Sequence, residues 1–392
     1  MDRLRRIALY GAAHGVADGL YGARGLLLAR FLGPEGFGVW ALMRLAIQYG
    51  GFALLGVNRG LERSVSRPEG ETDDADLADV ESSARTALGF NLLSTGVLAL
   101  AALAVSFFVD DGHLALGLRA FSAGITTECV VVYALTYLRG RRDLQAYASL
   151  EVSNAALHLA CAVALAILWG LAGAFAGFAL ASFVNAVFLL ARTPRRPALS
   201  YARLRELVRV GFPIALTYFL ALGLHTADQF VVTAFGGTVL LGYYAFAKSV
   251  ASLPASFGIV VRTVIFPDVY GQASSRGHIA AVRAHLDRTL LPYAWLYVPL
   301  LGALALAIAP VVALAAPQYG PAVAPARLFV FTGATLGYAN LAVLGVIAAD
   351  RQRALPALAA CAVLVNLALS ALALHAGMGL EGAAAASLIS QG

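Results

Sequence analysis

The sequence predicts an all-α integral membrane protein of about 12 spanning helices in two six-helix lobes. Three observations predict it. The 392 residues are 60% hydrophobic and only 13% charged, where a soluble domain carries about 25% charged residues. Apolar runs of about 20 residues, enough to cross a bilayer as a helix, recur along the whole length. Arginines crowd every second connection between these runs, and the connections in between carry no Lys or Arg.

Taken in order, the runs fall near 7–32, 37–60, 86–108, 114–138, 147–169, 172–191, 210–234, 239–265, 287–314, 326–348, 355–375 and 380 onward. The chain starts with Arg3, Arg5 and Arg6. The even connections hold Arg63 and Arg67, then Arg139, Arg141 and Arg142, then Arg192, Arg195, Arg196, Arg203, Arg205 and Arg209, then Arg276 and Arg283, and last Arg351 and Arg353. The odd connections lie near 33–36, 109–113, 170–171, 235–238, 315–325 and 376–379. Basic loops stay on the cytoplasmic side, so the N-terminus and the even connections are expected there. The apolar run after Arg6 continues past Asp18 and Arg24 to about Leu32, too long for a signal-peptide core, and is expected to be a retained first helix.

The net charge of +6 is almost all arginine, since Lys248 is the one lysine. Basic short loops suit anionic lipid headgroups, so membrane lipids are expected partners and nucleic acid is not. Cys129, Cys161 and Cys361 sit in apolar runs, too scattered for a metal site. The second connection is acidic (Glu69, Glu71, Asp73, Asp74, Asp76, Asp79, Glu81) and reads as a solvated loop.

The chain repeats itself. Gly38-Val-Trp-Ala-Leu-Met-Arg44 aligns with Gly242-Tyr-Tyr-Ala-Phe-Ala-Lys248 at an offset of 204, and Leu171-Ala-Gly-Ala174 with Leu380-Glu-Gly-Ala383 at 209. Six helices per half make the repeats parallel. The expected organisation is an N-terminal lobe over 1–193, a cytoplasmic linker over 194–209 and a C-terminal lobe over 210–392, whose last helix is expected to be incomplete.

Charges within spans are costly, so each is a functional candidate. Arg24, Arg44, Arg119 and Lys248 are the cations; Asp18, Glu128 and Asp228 are the carboxylates. The offset places Arg24 level with Asp228 and Arg44 level with Lys248, which makes Arg24 the expected partner of Asp228. Helical spacing groups Arg44 with Gln48, His14 with Asp18 and Tyr21, and Tyr218 with His225 and Asp228, all expected to line a wet cavity. Glu128 is expected to carry a proton or coupling ion, or to pair with an arginine. His158 reads as a packing residue.

Soluble-enzyme chemistry has no foothold. There is no Walker A loop around Lys248, no His-Glu-x-x-His and no Gly-x-Ser-x-Gly. Asp110-Asp111 is an acidic pair in an outer loop too short to build an acceptor site around it. No cofactor is expected beyond a proton or sodium gradient.

Phe31-Leu-Gly-Pro-Glu-Gly-Phe-Gly-Val-Trp40 resembles a stretch of bacterial Wzx-type polysaccharide and O-antigen flippases, in the multidrug/oligosaccharidyl-lipid/polysaccharide exporter superfamily. Gly211-Phe-Pro213, Asp228, Gly242-Tyr-Tyr-Ala245, Ile265-Phe-Pro267 and Gly379-Leu-Glu-Gly-Ala383 follow in order with similar spacing. The resemblance implies a MATE-like fold and a non-enzymatic transporter in the bacterial inner membrane. It implies movement of an undecaprenyl-diphosphate-linked oligosaccharide from the cytoplasmic to the outer leaflet, by alternating access, for cell-surface polysaccharide or lipopolysaccharide synthesis. It implies a cationic cavity, with Arg24, Arg44 and Lys248 at the matching positions, and polysaccharide-assembly proteins as partners. Three readings compete, one of them a non-transporting scaffold, which would not need matched charges at depth. A multidrug or cation antiporter would want an acidic aromatic cavity, and a membrane glycosyltransferase or polymerase would want large outer loops.

Overall fold

The computed structural model describes residues 2–66, 74–141, 144–191, 193–194, 196–250, 278–348 and 354–391. Expectations on Arg67, Arg142, Arg192, Arg195, Arg276, Arg351, Arg353, the acidic run 69–73 and Ile265-Phe-Pro267 lie outside the described residues. Among the described residues the secondary structure is helical: α1 (Asp2–Gly50), a 3-10 turn at Gly51–Leu54, α2 (Val57–Val65), α3 (Asp74–Val105), α4 (Gly112–Gly140), α5 (Leu144–Leu190) and α6 (Tyr201–Val250). There follow α7 (His278–Ala315), a 3-10 turn at Pro317–Ala322, α8 (Val323–Ala348), α9 (Leu355–His375) and α10 (Gly379–Gln391).

Seven of these stretches are long and apolar enough to cross a membrane. Three of them span 42, 46 and 50 residues, well beyond the roughly 20 that one crossing needs. Each of the three is broken inside. The breaks fall at Gly33, at Trp169–Gly170 and at Gly237, which are the places where the sequence puts arginine-free connections. An apolar run with no polar loop thus hides two helices. The structure leaves the total of 12 open while it places these three divisions.

The breaks also carry the repeat into the backbone. Gly33 (φ 68, ψ 177) and Gly237 (φ 67, ψ −164) share one conformation at the offset of 204. That region of backbone space is in effect open to glycine alone. Gly170 and Gly379, at φ 58 and 60, match at the offset of 209. The contacts beside the first pair are reciprocal as well. A Cβ on Gly38 would strike the backbone of Thr238, and one on Gly242 would strike that of Pro34.

The chain divides into two compact units, Met1–Leu32 with Val39–Phe219, and Gly33–Gly38 with Leu220–Gly392. This differs from the expected lobes and linker. α6 already begins at Tyr201, and its first turns pack on α2: a Cβ on Gly56 or Gly60 would meet the backbone of Gly211 or Leu207. Small residues let helix backbones approach this closely. Ala198 N also donates to Arg85 O at 3.1 Å, so the expected linker is built into the first unit. That unit's core gathers Val57, Leu61, Leu88, Tyr133, Leu138 and Leu189 from α2 to α5. Asp111 caps α4, its carboxylate accepting from His113 N at 2.8 Å and Leu114 N at 3.0 Å. This gives Asp111, one member of the acidic pair, a local structural use.

Candidate functional site

α1 is broken at Gly33, and Arg24 and Arg44 stand nine residues before and eleven after the break. Arg24 is 2% exposed. Its guanidinium carbon lies 4.9 Å from the centre of the Tyr21 ring and 5.6 Å from that of Trp40, so aromatic faces hold it. Its Nε is buried without a hydrogen-bond partner among the described residues. Arg44 is half-buried and lines a small cleft with Trp40, Phe121, Phe175 and Phe178. Trp40 packs against Phe175 and Phe178 at 5.5 and 5.9 Å between ring centres.

The same unit carries one carboxylate whose neighbour His158 packs on Phe178, a ring of this cleft. Glu128 of α4 accepts from Ser182 Oγ at 3.0 Å and lies 3.8 Å from His158 Nε2. No ion pair joins it to Arg24 or Arg44 among the described residues. His158, 1% exposed, packs on Phe178, so the residue read as packing stands in the site. Behind it, Asn154 Nδ2 donates to Tyr21 Oη at 2.9 Å, and Asn185 Nδ2 donates to Asn154 Oδ1 at 2.5 Å. Sequence reasoning missed Asn154, Ser182 and Asn185. A signal was there: Tyr147, Glu151, Asn154 and His158 follow steps of 4, 3 and 4 on α5, one helical face. The same face receives His14, whose Nδ1 lies 2.8 Å from Glu151 Oε1 and whose Nε2 lies 3.8 Å from Asp18.

The second unit builds the matching place differently. Asp228 is wholly buried, and Lys248 Nζ donates to its Oδ1 at 2.7 Å and Oδ2 at 2.6 Å. Tyr244 Oη and Ser387 Oγ donate to Oδ2 at 2.6 and 2.5 Å. Lys248 also donates to the carbonyl of His225 at 2.7 Å. Two expectations are corrected here. Asp228 pairs with Lys248, not Arg24, because the break at Gly237 brings two arms of α6 together at equal depth. Lys248 is therefore a neutralised cation rather than a free one.

The other expected residues lie apart. Arg119 is exposed, with Nε 3.4 Å from Ser106 Oγ and its guanidinium over Phe107, so it is not part of the cationic site. Gln48 is exposed, and Tyr218 is exposed beneath the guanidinium of Arg59. Among the described residues no group of three His, Cys, Asp or Glu is placed to hold a metal ion.

No curated protein sequence is similar enough to match the chain. Solved structures are. The lipid II flippase MurJ, in its inward closed conformation, superposes with a TM-score of 0.75 at 14% identity, over 98% of this chain and 85% of that one. A multidrug resistance MATE family transporter of the MOP superfamily superposes in its inward-facing form with a TM-score of 0.72 at 16% identity, over 95% and 91%. Its outward-facing form gives 0.61 at 16% identity, over 98% and 91%. These likenesses show the fold, which is that of the MATE and MurJ transporters, and with the apolar helices they make this a multi-pass membrane protein. A family model described as "Polysaccharide biosynthesis protein" matches residues 27–322, most of the chain, and the chain belongs to that family.

Proposed function

We propose that the protein is a flippase that carries a lipid-linked oligosaccharide, joined to its polyprenyl chain through a diphosphate, across the bacterial cytoplasmic membrane. The N-terminus and the arginine-bearing connections lie on the cytoplasmic side. The observation that carries the proposal is the first unit's pair of arginines, Arg24 between aromatic faces with a buried Nε that has no partner among the described residues, and Arg44 in an aromatic cleft. A diphosphate diester brings about two negative charges, and the planar guanidinium fork matches phosphate oxygens. The surrounding rings exclude water, which strengthens the attraction. Family membership supports the polysaccharide setting. A site that stacks cations repels the organic cations of a multidrug exporter. Movement of the lipid follows from alternating access, with the hydrocarbon tail left in the bilayer.

The test is export in a strain lacking the gene. Arg24→Ala and Arg44→Ala should each lower surface polysaccharide at least about tenfold while membrane insertion is kept, since a lost charge-assisted bond to phosphate is worth about 1.5–3 kcal/mol. Normal surface polysaccharide in the double variant overturns the reading.

A further inference from the structure

Two arginines outside the cationic site form a matched pair. Arg119 on α4 and Arg327 on α8 stand 208 residues apart, between the repeat offsets of 204 and 209. Each comes soon after an arginine-free connection, 109–113 and 315–325. Arg119 is seven residues past the first residue of α4, and Arg327 four past that of α8. These are distances of about 11 and 6 Å along the helix. Both side chains are exposed. Basic residues of a membrane protein collect in its cytoplasmic loops, so an exposed cation at the opposite end of a span calls for a counter-charge.

The surroundings of the two arginines are apolar, and their bonds are alike. Beside Arg119, Phe107 and Phe108 are 70% and 87% exposed, and the guanidinium carbon lies 5.4 Å from the centre of the Phe107 ring. Leu306, next to the residue that Arg327 bonds, and Phe331, one turn on from Arg327, are exposed as well. Exposed apolar surface around a spanning helix is covered by lipid. Arg119 Nε donates to Ser106 Oγ at 3.4 Å, and Arg327 Nε donates to the carbonyl of Ala305 at 3.2 Å. Ser106 gives its own proton to Leu103 O at 2.7 Å, which leaves its oxygen as the acceptor. In each unit one nitrogen is thus tied back to the stretch that precedes the helix. The two terminal nitrogens, planar and carrying the remaining donors, have no hydrogen-bond or ion-pair partner among the described residues. That free edge matches two oxygens of one phosphate.

We propose that Arg119 and Arg327 each hold the phosphate of an anionic glycerophospholipid, one lipid to each unit, in the leaflet beside the arginine-free connections. On the topology of the flippase reading, on which only the choice of leaflet rests, this is the outer leaflet. The arginine stem lies along apolar surface and its head reaches the headgroup layer. The acyl chains cover the exposed apolar side chains beside it. An anionic headgroup suits the place better than a zwitterionic one, whose own ammonium lies beside its phosphate.

The experiment uses the purified full-length protein and native mass spectrometry. The probe is dioleoylphosphatidylglycerol, and dioleoylglycerol, which lacks the phosphate, is the control. Wild type should retain two more phosphatidylglycerol molecules than the double variant Arg119→Gln with Arg327→Gln, and one more than either single variant. Affinity at each lost site should fall at least about tenfold, as for a lost charge-assisted bond. Arg119→Lys and Arg327→Lys, with the charge but not the fork, should fall between. Dioleoylglycerol should bind all these proteins alike. Equal phosphatidylglycerol retention by wild type and the double variant overturns the proposal. So does a parallel loss of dioleoylglycerol, which marks a changed apolar surface rather than a phosphate contact. The leaflet is tested in intact cells, with an impermeant thiol reagent on Asp110→Cys in a chain freed of Cys129, Cys161 and Cys361. Labelling from outside is expected. Labelling only after the membrane is permeabilised overturns the outer leaflet and the flippase topology together, while the lipid counts decide the phosphate contact independently of both.

Discussion

One unit spends its buried charges on each other and the other keeps them open. At positions 228, 244, 248 and 387 the second unit holds Asp, Tyr, Lys and Ser, joined by hydrogen bonds of 2.5 to 2.7 Å. The offsets of 204 and 209 carry these to 24, 40, 44 and 178, where the first unit holds Arg, Trp, Arg and Phe. There the contacts are ring faces: Arg24 over Trp40 and Trp40 against Phe178. The same helical scaffold thus yields a closed ion pair in one place and an unneutralised cation in the other. A repeat need not duplicate a function. It can let one copy hold the fold while the other takes the ligand.

The largest effect should come from opening the closed copy. In Asp228→Asn, Lys248 loses its counter-charge in a buried place and keeps the carbonyl of His225. Removing one member of a buried pair costs about 3–5 kcal/mol. Thermal unfolding of the purified variant should show it. Neutralising both, with Asp228→Asn and Lys248→Met, should recover most of the loss, because no unpaired charge is left. Arg24→Met, by contrast, removes a buried cation whose Nε has no partner, and should leave stability equal or higher while export fails. If Arg24→Met destabilises as much as Asp228→Asn, the contrast between the two copies is wrong.

A middle-sized effect tests the breaks. Gly33→Ala and Gly237→Ala each place a Cβ in a backbone region that costs about 1–3 kcal/mol, although nothing lies within 4 Å of either Cβ. The two losses should agree closely, because strain alone sets them. Unequal losses would show that one break is held by contacts and the other by conformation.

The fold was legible because its signals are local. Apolar length marks the spans, and the arginine-free gaps at 33–36, 170–171 and 235–238 mark the turns where the breaks occur. The repeat was legible as a pair of short matches, and the backbone angles at Gly33 and Gly237 match with it. The site was legible only as a set of charges at depth. Partner choice was not, since equivalent positions in a repeat look like neighbours when they are copies. Depth measured from the turn would have done better. Asp228 and Lys248 lie nine and eleven residues from Gly237, so two arms folded at that glycine bring them level. Arg119 counts as interior to its apolar run, yet it stands only about two helical turns from the start of α4 at Gly112 and is exposed. His158 was set aside because a lone histidine carries no sign of what faces it.

The smallest effect separates packing from binding inside the open copy. Tyr21 has two tasks: its ring covers Arg24 and its hydroxyl receives the Asn154 amide. Tyr21→Phe keeps the ring and removes the acceptor. Asn154 is 5% exposed, so its orphaned N–H should cost about 1–3 kcal/mol of stability. Adding Asn154→Leu should return part of that cost by removing the orphan, although Asn185, which donates to Asn154, then loses its own acceptor. The cation–π contact survives in both variants, so diphosphate affinity should change less than threefold. Tyr21→Leu should behave in the opposite sense, because the ring face over Arg24 is gone; a stacked cation in a dry site is worth about 2 kcal/mol, near thirtyfold in affinity. A cycle of these substitutions, read by thermal unfolding and by titration of the diphosphate diester, assigns the two tasks separately. If Tyr21→Phe weakens binding as much as Tyr21→Leu does, the hydroxyl network is part of the ligand site, and the open copy extends from Arg24 through Tyr21 to Asn154 and Asn185.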